Sequence, residues 1–175
     1  MNLEFENLKI RNACMEDAPL LARWWNDGAV MTHAGFPNGL GTDANKISES
    51  LKQDSEKYRR LILELNSVPV GEMNYREVNE MTASIRIKIC DFSLHDKGLG
   101  KKYLSMLISA LFYDYGYEKI VLDTNLKNSR AQHVYEKLGF RKIGVRENFW
   151  RNQLGELQSI VEYELSPSDF MNFAK

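Results

Sequence analysis

Between Asp91 and Lys102 the chain reads Asp-Phe-Ser-Leu-His-Asp-Lys-Gly-Leu-Gly-Lys-Lys, after an alternating apolar strand and before an amphipathic helix. Gly98 and Gly100 allow a tight turn there and keep side chains away from a ligand. A helix that begins near Gly100 directs unpaired N–H groups and the positive end of its dipole at this turn. Such a turn is a typical phosphate site. Ordinary strand-to-helix connections share the pattern, so a second motif is needed to distinguish the two interpretations.

The segments around this turn have the periodicity of a sheet covered by helices. Apolar and polar residues alternate over 82–90, and apolar residues recur at helical spacing after the turn until Gly116 ends the helix. Helices are also predicted from Ala18-Pro19, with Trp25 on the apolar face, and from Thr42 as N-cap. The remaining predicted elements are strands at 8–11, 60–65, 68–75, 119–123, 140–146 and 159–165, a helix from 128, and a polar connection containing Trp150. This order predicts one domain, 1–175, of the α/β (α+β) class.

The net charge, the cysteine content and the apolar runs of the chain argue against several classes of function. The chain has 175 residues and a net charge of −1, which gives no reason to expect a nucleic acid or an anionic membrane as partner. The only two cysteines, Cys14 and Cys90, lie far apart without metal-ligand spacing, so no metal site is expected. No apolar run approaches the ~20 residues that span a bilayer. We therefore expect a cytoplasmic protein.

The second motif lies between Asn125 and Phe140, which reads Asn-Leu-Lys-Asn-Ser-Arg-Ala-Gln-His-Val-Tyr-Glu-Lys-Leu-Gly-Phe. Asn128 either caps the helix or reaches a ligand with its amide. Ala131 is small enough to permit close packing, and Tyr135 follows one turn later on the same face. An isolated tyrosine in such a place is usually a core residue with a satisfied hydroxyl.

Together the two motifs resemble the Gcn5-related N-acetyltransferase (GNAT) family, and the resemblance covers nearly the whole chain. It is strongest to the branch of ribosomal-protein N-terminal, polyamine and aminoglycoside acetyltransferases. The resemblance implies a mixed, mostly antiparallel central sheet of six to seven strands flanked by about four helices. It implies acetyl-CoA as the cofactor, and a small-molecule or peptide amine as the acceptor.

The resemblance also implies which residues hold the cofactor. His95 stands where the family's phosphate loop usually has Gln or Arg, and the strand before the turn offers its backbone to the pantetheine arm. The implied cofactor contacts are Ile87, Lys88, Ile89, His95, Asp96, Lys97, Gly98, Leu99, Gly100, Lys101, Asn128, Arg130 and Ala131.

Amine acetylation needs a base and an acid. A typical alkyl amine has a pKa near ~10.4, so a carboxylate or a water that it holds must take the proton. Glu72 is the first candidate for that base, with Asp91 second and His33 third. Tyr135 is the implied proton donor to the departing thiolate. A Cys90–His133 nucleophile pair is disfavoured, because no third orienting group is evident.

The acceptor is expected to contact Trp24, His33, Phe36 and Trp150, with Trp25 more buried than Trp24. An alternative to the enzyme is a CoA-binding sensor or interaction module of the same fold that has lost transfer activity. The sequence leaves the acceptor open and predicts either a monomer or a homodimer.

Overall fold

The computed structural model describes residues 1–175 and contains one eight-stranded sheet. Its strands are β1 (Asn2–Phe5), β2 (Leu8–Asn12), β3 (Tyr58–Leu65), β4 (Val68–Asn79), β5 (Thr82–Ile89), β6 (Lys119–Asn125), β7 (Arg141–Arg151) and β8 (Leu157–Leu165). They lie in the order β1-β2-β3-β4-β5-β6-β8-β7, and only the β5–β6 pair is parallel. The predicted mixed, mostly antiparallel sheet is confirmed, with eight strands instead of six or seven.

Five helices accompany the sheet. They are α1 (Ala18–Trp25), α2 (Gly28–Met31), α3 (Ala44–Leu51), α4 (Leu99–Tyr113) and α5 (Ser129–Lys137). The prediction of about four omitted α2, which is a single turn. The longest helix, α4, has 15 residues, and none of the five has both the length and the apolar character needed to cross a bilayer.

Three local predictions need correction. The N-cap of α3 is Asp43, whose carboxylate accepts a hydrogen bond from the backbone of Lys46, and Thr42 precedes it. Trp150 lies within β7 and not in a polar connection, because β7 continues through a register shift after Arg146. The strand β1 was not predicted at all; it pairs with β2 at the edge of the sheet.

Two apolar cores lie on opposite faces of the sheet. The larger one packs α4 against the strands through residues such as Leu107, Leu111 and Ile85. The smaller one packs α1 and α3 on the other face, around Leu21, Ile47 and the buried Ile62 of β3. Adjacent residues Ile62 and Leu63 therefore belong to different cores, as the two-residue period of a strand requires.

The only parallel pair of strands separates along its length. β5 and β6 are paired at three positions, from Thr82 opposite Lys119 to Ser84 opposite Val121. Both strands then continue without pairing to each other, β5 to Ile89 and β6 to Asn125. The sheet is thus open between the carboxyl-terminal halves of two neighbouring strands, and their facing edges offer backbone groups to a ligand.

Candidate active site

The opening between β5 and β6 leads into a cavity of about 770 Å³. Its walls come from the unpaired halves of both strands, the first turns of α4 and α5, α2 with the residues after it, and the end of β7. Both motifs of the sequence therefore meet at one cavity, although 23 residues lie between Lys101 and Asn125.

The turn before α4 presents a run of free backbone donors. The N–H groups of residues 96–101 donate to no acceptor in the protein, and the first bond of the helix runs from the Lys102 N–H to the Gly98 carbonyl at 3.3 Å. No side chain caps this helix. Six successive N–H groups at the positive end of a 15-residue helix form a strong site for a polyanion.

Glycine is required at Gly98 because its φ is +75°, in the left-handed region. A Cβ at Gly98 or at Gly100 would meet no protein atom within 4 Å, so both positions open onto the cavity. Space that no protein atom uses lies directly beside the free N–H groups. Asp96, with φ of +59°, completes the tight turn.

His95 joins the turn to both neighbouring elements. Its Nε2 lies 2.9 Å from the carbonyl oxygen of Ile89, and its Nδ1 lies 2.8 Å from a guanidinium nitrogen of Arg130. Because a carbonyl only accepts and a guanidinium only donates, the ring is the neutral tautomer with its proton on Nε2. Both ring nitrogens are therefore engaged within the protein, and the guanidinium of Arg130 is held beside the turn.

The edge of β5 that faces the gap has free backbone groups. The N–H of Cys90 bonds to the carbonyl of Val70 on β4 at 2.9 Å. Since bonded and non-bonded pairs alternate along antiparallel strands, the backbone groups of Ile87 and Ile89 point away from β4. The bond from His95 to the Ile89 carbonyl agrees with that direction. A linear ligand in the gap meets these groups as it would meet a neighbouring strand.

On the opposite wall, Asn128 caps α5. Its Oδ1 accepts from the N–H of Ala131 at 3.2 Å, and its Nδ2 makes only a long 3.4 Å contact with Thr124. Of the thirteen residues predicted to hold the cofactor, all but Lys97 line the cavity. Lys97 lies on the exposed outside of the turn.

Tyr135 is buried on the last turn of α5, yet its hydroxyl makes no hydrogen bond. No fully buried side-chain oxygen lacks a partner in the structure, so this hydroxyl reaches the cavity. Burial raises the pKa of Tyr135, and the charge of Asp123 acts in the same direction. The phenol is therefore protonated throughout the neutral range and available as a donor.

Glu72 is buried on β4 and faces the cavity. Its Oε1 accepts from Lys88 Nζ at 2.8 Å and from the indole N–H of Trp25 at 2.9 Å. Its Oε2 has no protein donor. Sequence reasoning did not find Lys88 or Trp25 as partners of this carboxylate, since the contacts join α1, β4 and β5.

Cys90 is not a nucleophile in this arrangement. Its burial and the nearby Glu72 raise the pKa of the thiol to about 12, so the reactive thiolate is absent at neutral pH. His133 is exposed on α5 and does not line the cavity. The pair that the sequence disfavoured is not assembled.

The relative burial of the two tryptophans of α1 is the reverse of the prediction: Trp24 is the more buried one. Trp24 is 8% exposed in the smaller core with Leu21, because buried residues on α1 recur every three positions from Ala18. Trp25 is half-buried and turns towards Glu72. The prediction that Trp24 contacts the acceptor is therefore wrong.

Two of the other predicted acceptor residues line the cavity, namely His33 and Trp150, whereas Phe36 is half-buried outside it. Loss of hydration, and secondarily the charge of Arg130, lower the pKa of His33, so its ring is neutral at pH 7. The ring of Trp150 packs on Gly35, where a Cβ would lie 2.3 Å from it.

The connection between α1 and α3 (residues 26–43) is fastened to the turn between β7 and β8 by Gln153. The Gln153 N–H donates to the carbonyl of Gly35 at 2.8 Å, and its side chain accepts from the N–H of Asn38 at 2.9 Å and donates to the carbonyl of Gly39 at 3.0 Å. One residue therefore holds this wall of the cavity by three hydrogen bonds. No pattern in the sequence indicated it.

Comparison with known proteins agrees with this architecture. A family model described as an acetyltransferase (GNAT) domain matches residues 7–141. The spermidine N-acetyltransferase from Vibrio cholerae, solved with CoA and spermine, has a TM-score of 0.82 and 20% identity over 95% of this chain and 99% of that chain. The ribosomal-protein-S5-alanine acetyltransferase from Vibrio fischeri has a TM-score of 0.80 and 15% identity over 98% and 99% of the two chains.

A ribosomal L7/L12 alpha-N-protein acetyltransferase in complex with coenzyme A has a TM-score of 0.83 at 12% identity, over 95% of this chain and 98% of that one. Identities this low show a shared fold and nothing finer. The match of the family model over residues 7–141 covers most of the 175 residues. The chain belongs to the GNAT acetyltransferase family.

Proposed function

We propose that this protein transfers an acetyl group from acetyl-CoA directly to a primary amine of a small molecule or peptide. Family membership supports an acetyltransferase, and acetyl-CoA fits both the family and the cavity. The observation that carries the proposal is one continuous path: six free N–H groups at the start of α4, the edge of β5 that faces the gap, and the unbonded hydroxyl of Tyr135. We further propose that the protein works in the cytoplasm.

The residues present fit each part of the cofactor. The diphosphate has the N–H groups of residues 96–101, with Arg130 and Lys101 adding positive charge at the same end of the cavity. The pantetheine arm has the free backbone groups of Ile87 and the N–H of Ile89 on one side, while the Ile89 carbonyl is held by His95. On the other side it has Asn128, whose amide nitrogen makes only a long contact within the protein, and the small Ala131.

Acetyl transfer at the end of this path needs a group that stabilises the developing negative charge, a proton donor for the sulfur and a base for the amine. Bound acetyl-CoA supplies a thioester carbon that an amine can attack. We assign the free N–H of Ile87 to stabilise negative charge that develops beside β5. We assign Tyr135 to give a proton to the sulfur, because its hydroxyl is protonated and has no other partner.

We assign the base to Glu72, directly or through one water molecule. Its Oε1 is fixed by Lys88 and Trp25, so the carboxylate has one defined orientation and its Oε2 is the atom left to accept a proton. The carboxylate lies on the same face of the sheet as Trp25, and this face is opposite α4. The amine would therefore approach from the side of α1 and α2.

Thiol release with a panel of amines tests the proposal. We expect acetyl-CoA turnover that depends on an amine, with a fall of about 100-fold or more in kcat for Tyr135→Phe and little change in CoA affinity. Because the Tyr135 hydroxyl bonds to no protein group, the variant should keep the melting temperature of the wild type. Equal kcat in the two proteins would exclude the assigned donor.

A CoA-binding module without transfer activity is the second candidate. The observation that favours it is the ion pair between Glu72 and Lys88, which engages the assigned base. The same experiment separates the two functions. CoA binding in calorimetry with no thiol release across polyamines, aminoglycosides and peptides would favour the module, and amine-dependent release excludes it.

A further inference from the structure

One face of the strands β4 and β5 carries the polar side chains that an acceptor would meet. The register sets Glu72 opposite Lys88 and Asn74 opposite Arg86. All four side chains line the cavity on the face away from α4, whereas Ile87, between Arg86 and Lys88 on β5, packs against the larger core. This polar face, together with Asp123 of β6, surrounds the position where the amine must lie in the proposed reaction.

The negative charge of Glu72 is already neutralised. Lys88 Nζ lies 2.8 Å from its Oε1, and the two side chains are 30% and 9% exposed. At distances larger than this separation the fields of the two opposite charges offset each other in large part. A cationic acceptor therefore gains little from the one buried carboxylate of the cavity.

The second pair spans the opening between the strands. The guanidinium of Arg86 lies 3.9 Å from the carboxylate of Asp123, with the two side chains 73% and 46% exposed. This separation is too long for a hydrogen bond, and Arg86 donates none elsewhere. The polar face thus holds two carboxylates and two cationic side chains, so its formal net charge is zero. The guanidinium of Arg86 has all five of its N–H donors available.

These charges bear on the class of acceptor. A polyamine keeps one or more additional ammonium groups after one nitrogen has entered the cavity, and each needs a carboxylate that is not already paired. A carboxylate, in contrast, finds the planar fork of Arg86 and the side-chain amide of Asn74, which makes no hydrogen bond in the protein.

We propose that the acceptor is a zwitterionic primary amine, in which Arg86 and Asn74 bind a carboxylate of the same molecule while the amine lies beside Glu72. The inference rests on the proposed function and names its substrate class. Arg86 is two residues from Lys88, the partner of Glu72, so the two binding positions lie roughly 7 Å apart along β5. Val30, Phe149 and Trp150 line the cavity and would cover the carbon chain.

Matched acceptors test the charge of the second group. The ω-amino acids from β-alanine to ε-aminocaproate are compared with diamines of the same number of carbons, for example γ-aminobutyrate with putrescine. We expect kcat/KM to be at least about ten-fold higher for the amino acid at the best chain length. A diamine that is equal or better at every length would overturn the proposal.

Two variants locate the preference. Arg86→Gln should lower the ratio of kcat/KM between amino acid and diamine by about ten-fold, and Lys88→Met should shift the ratio further towards the diamine by leaving Glu72 unpaired. Arg76→Gln is the matched control, because Arg76 is an exposed cation of β4 on the same face that does not line the cavity. A ratio that Arg86→Gln leaves at the wild-type value would contradict the assignment of Arg86.

Failure of this inference is distinguishable from failure of the proposed function. The affinities of γ-aminobutyrate and putrescine for the CoA-loaded protein are measured by calorimetry beside turnover. Turnover of diamines in preference to amino acids contradicts the acceptor class and leaves the acetyltransferase standing. If no amine is acetylated, the proposed function fails, and the ratio of the two affinities still decides whether the face selects an anionic group.

Because Lys88→Met leaves a buried carboxylate unpaired, its melting temperature is compared with that of Arg86→Gln, whose replaced side chain is largely exposed.

Discussion

The guanidinium of Arg130 donates a 2.8 Å hydrogen bond to Nδ1 of His95, while the other ring nitrogen of His95 donates to the Ile89 carbonyl at 2.9 Å. One imidazole therefore links the end of β5, the turn before α4 and the first turn of α5. These are the three elements that surround the assigned cofactor, so the ring fixes their mutual positions without itself being free to bind phosphate.

The first prediction concerns this ring. His95→Ala removes both hydrogen bonds, and Arg130 loses the partner that holds it beside the turn. We expect CoA affinity to fall by about ten-fold, which calorimetry measures. His133→Ala is the control, because His133 is exposed on the same helix as Arg130 and outside the cavity. Equal CoA affinity in the two variants would show that His95 does not organise the site.

The second prediction separates backbone strain from ligand binding at the turn. Gly98 and Gly116 flank α4 with φ of +75° and +77°, and a Cβ at either position meets no protein atom within 4 Å. Valine at either position should therefore cost a similar free energy of unfolding, about 1–2 kcal/mol. Only Gly98→Val should also abolish CoA binding, since its side chain enters the space beside the free N–H groups.

Denaturant melts and CoA titrations of the two glycine variants check this prediction. An unchanged CoA affinity of folded Gly98→Val would place the diphosphate elsewhere. A loss of affinity in Gly116→Val as well would mean that strain in α4, and not occupation of the turn, is responsible.

The third prediction concerns Gln153. Gln153→Ala removes the two side-chain hydrogen bonds that fasten the connection between α1 and α3, a cost of about 1–2 kcal/mol in unfolding free energy. Because that connection lines the cavity on the side proposed for the acceptor, the KM of the amine should rise by about ten-fold while the KM of acetyl-CoA stays near its wild-type value.

Steady-state kinetics with each substrate varied in turn measure the two KM values of Gln153→Ala. Gln53→Ala, at an exposed glutamine after α3, is the matched control. If both KM values rise together, the loss is a general destabilisation of the cavity and Gln153 has no specific effect on the acceptor.

The fourth prediction is a pH dependence of stability from His33. Its folded-state pKa is lowered, so protonation below the unfolded value near ~6.5 favours the unfolded chain. The contribution of neutral His33 to the free energy of unfolding is thus complete above about pH 6.5 and is lost as the pH falls below that value. Between pH 7 and pH 5 the melting temperature of the wild type should fall more steeply than that of His33→Gln. Parallel curves would contradict the lowered pKa.

The sequence predicted the parts of this fold that depend on local patterns. The alternation over residues 82–90 gave β5, the glycine turn gave the start of α4, and Asn128 indicated the start of α5, where it is the N-cap. The predictions were wrong where a local pattern is compatible with burial of either of two neighbouring residues. On α1, both Trp24 and Trp25 lie close to the stripe defined by Ala18 and Leu21, and only packing against α3 selects Trp24 for the core.

The sequence alone determined the glycine turn before α4, the capped start of α5 at Asn128 and the family, because backbone geometry at glycines and helix starts depends on neighbouring residues. The tertiary structure decided everything that joins distant segments. Only it brought Lys88 and Trp25 to Glu72, held His95 between Ile89 and Arg130, and joined Gln153 to the connection between α1 and α3. The physical reason is that the charge and protonation of a buried group depend on partners within a few ångströms in space, and separation along the chain does not reveal them.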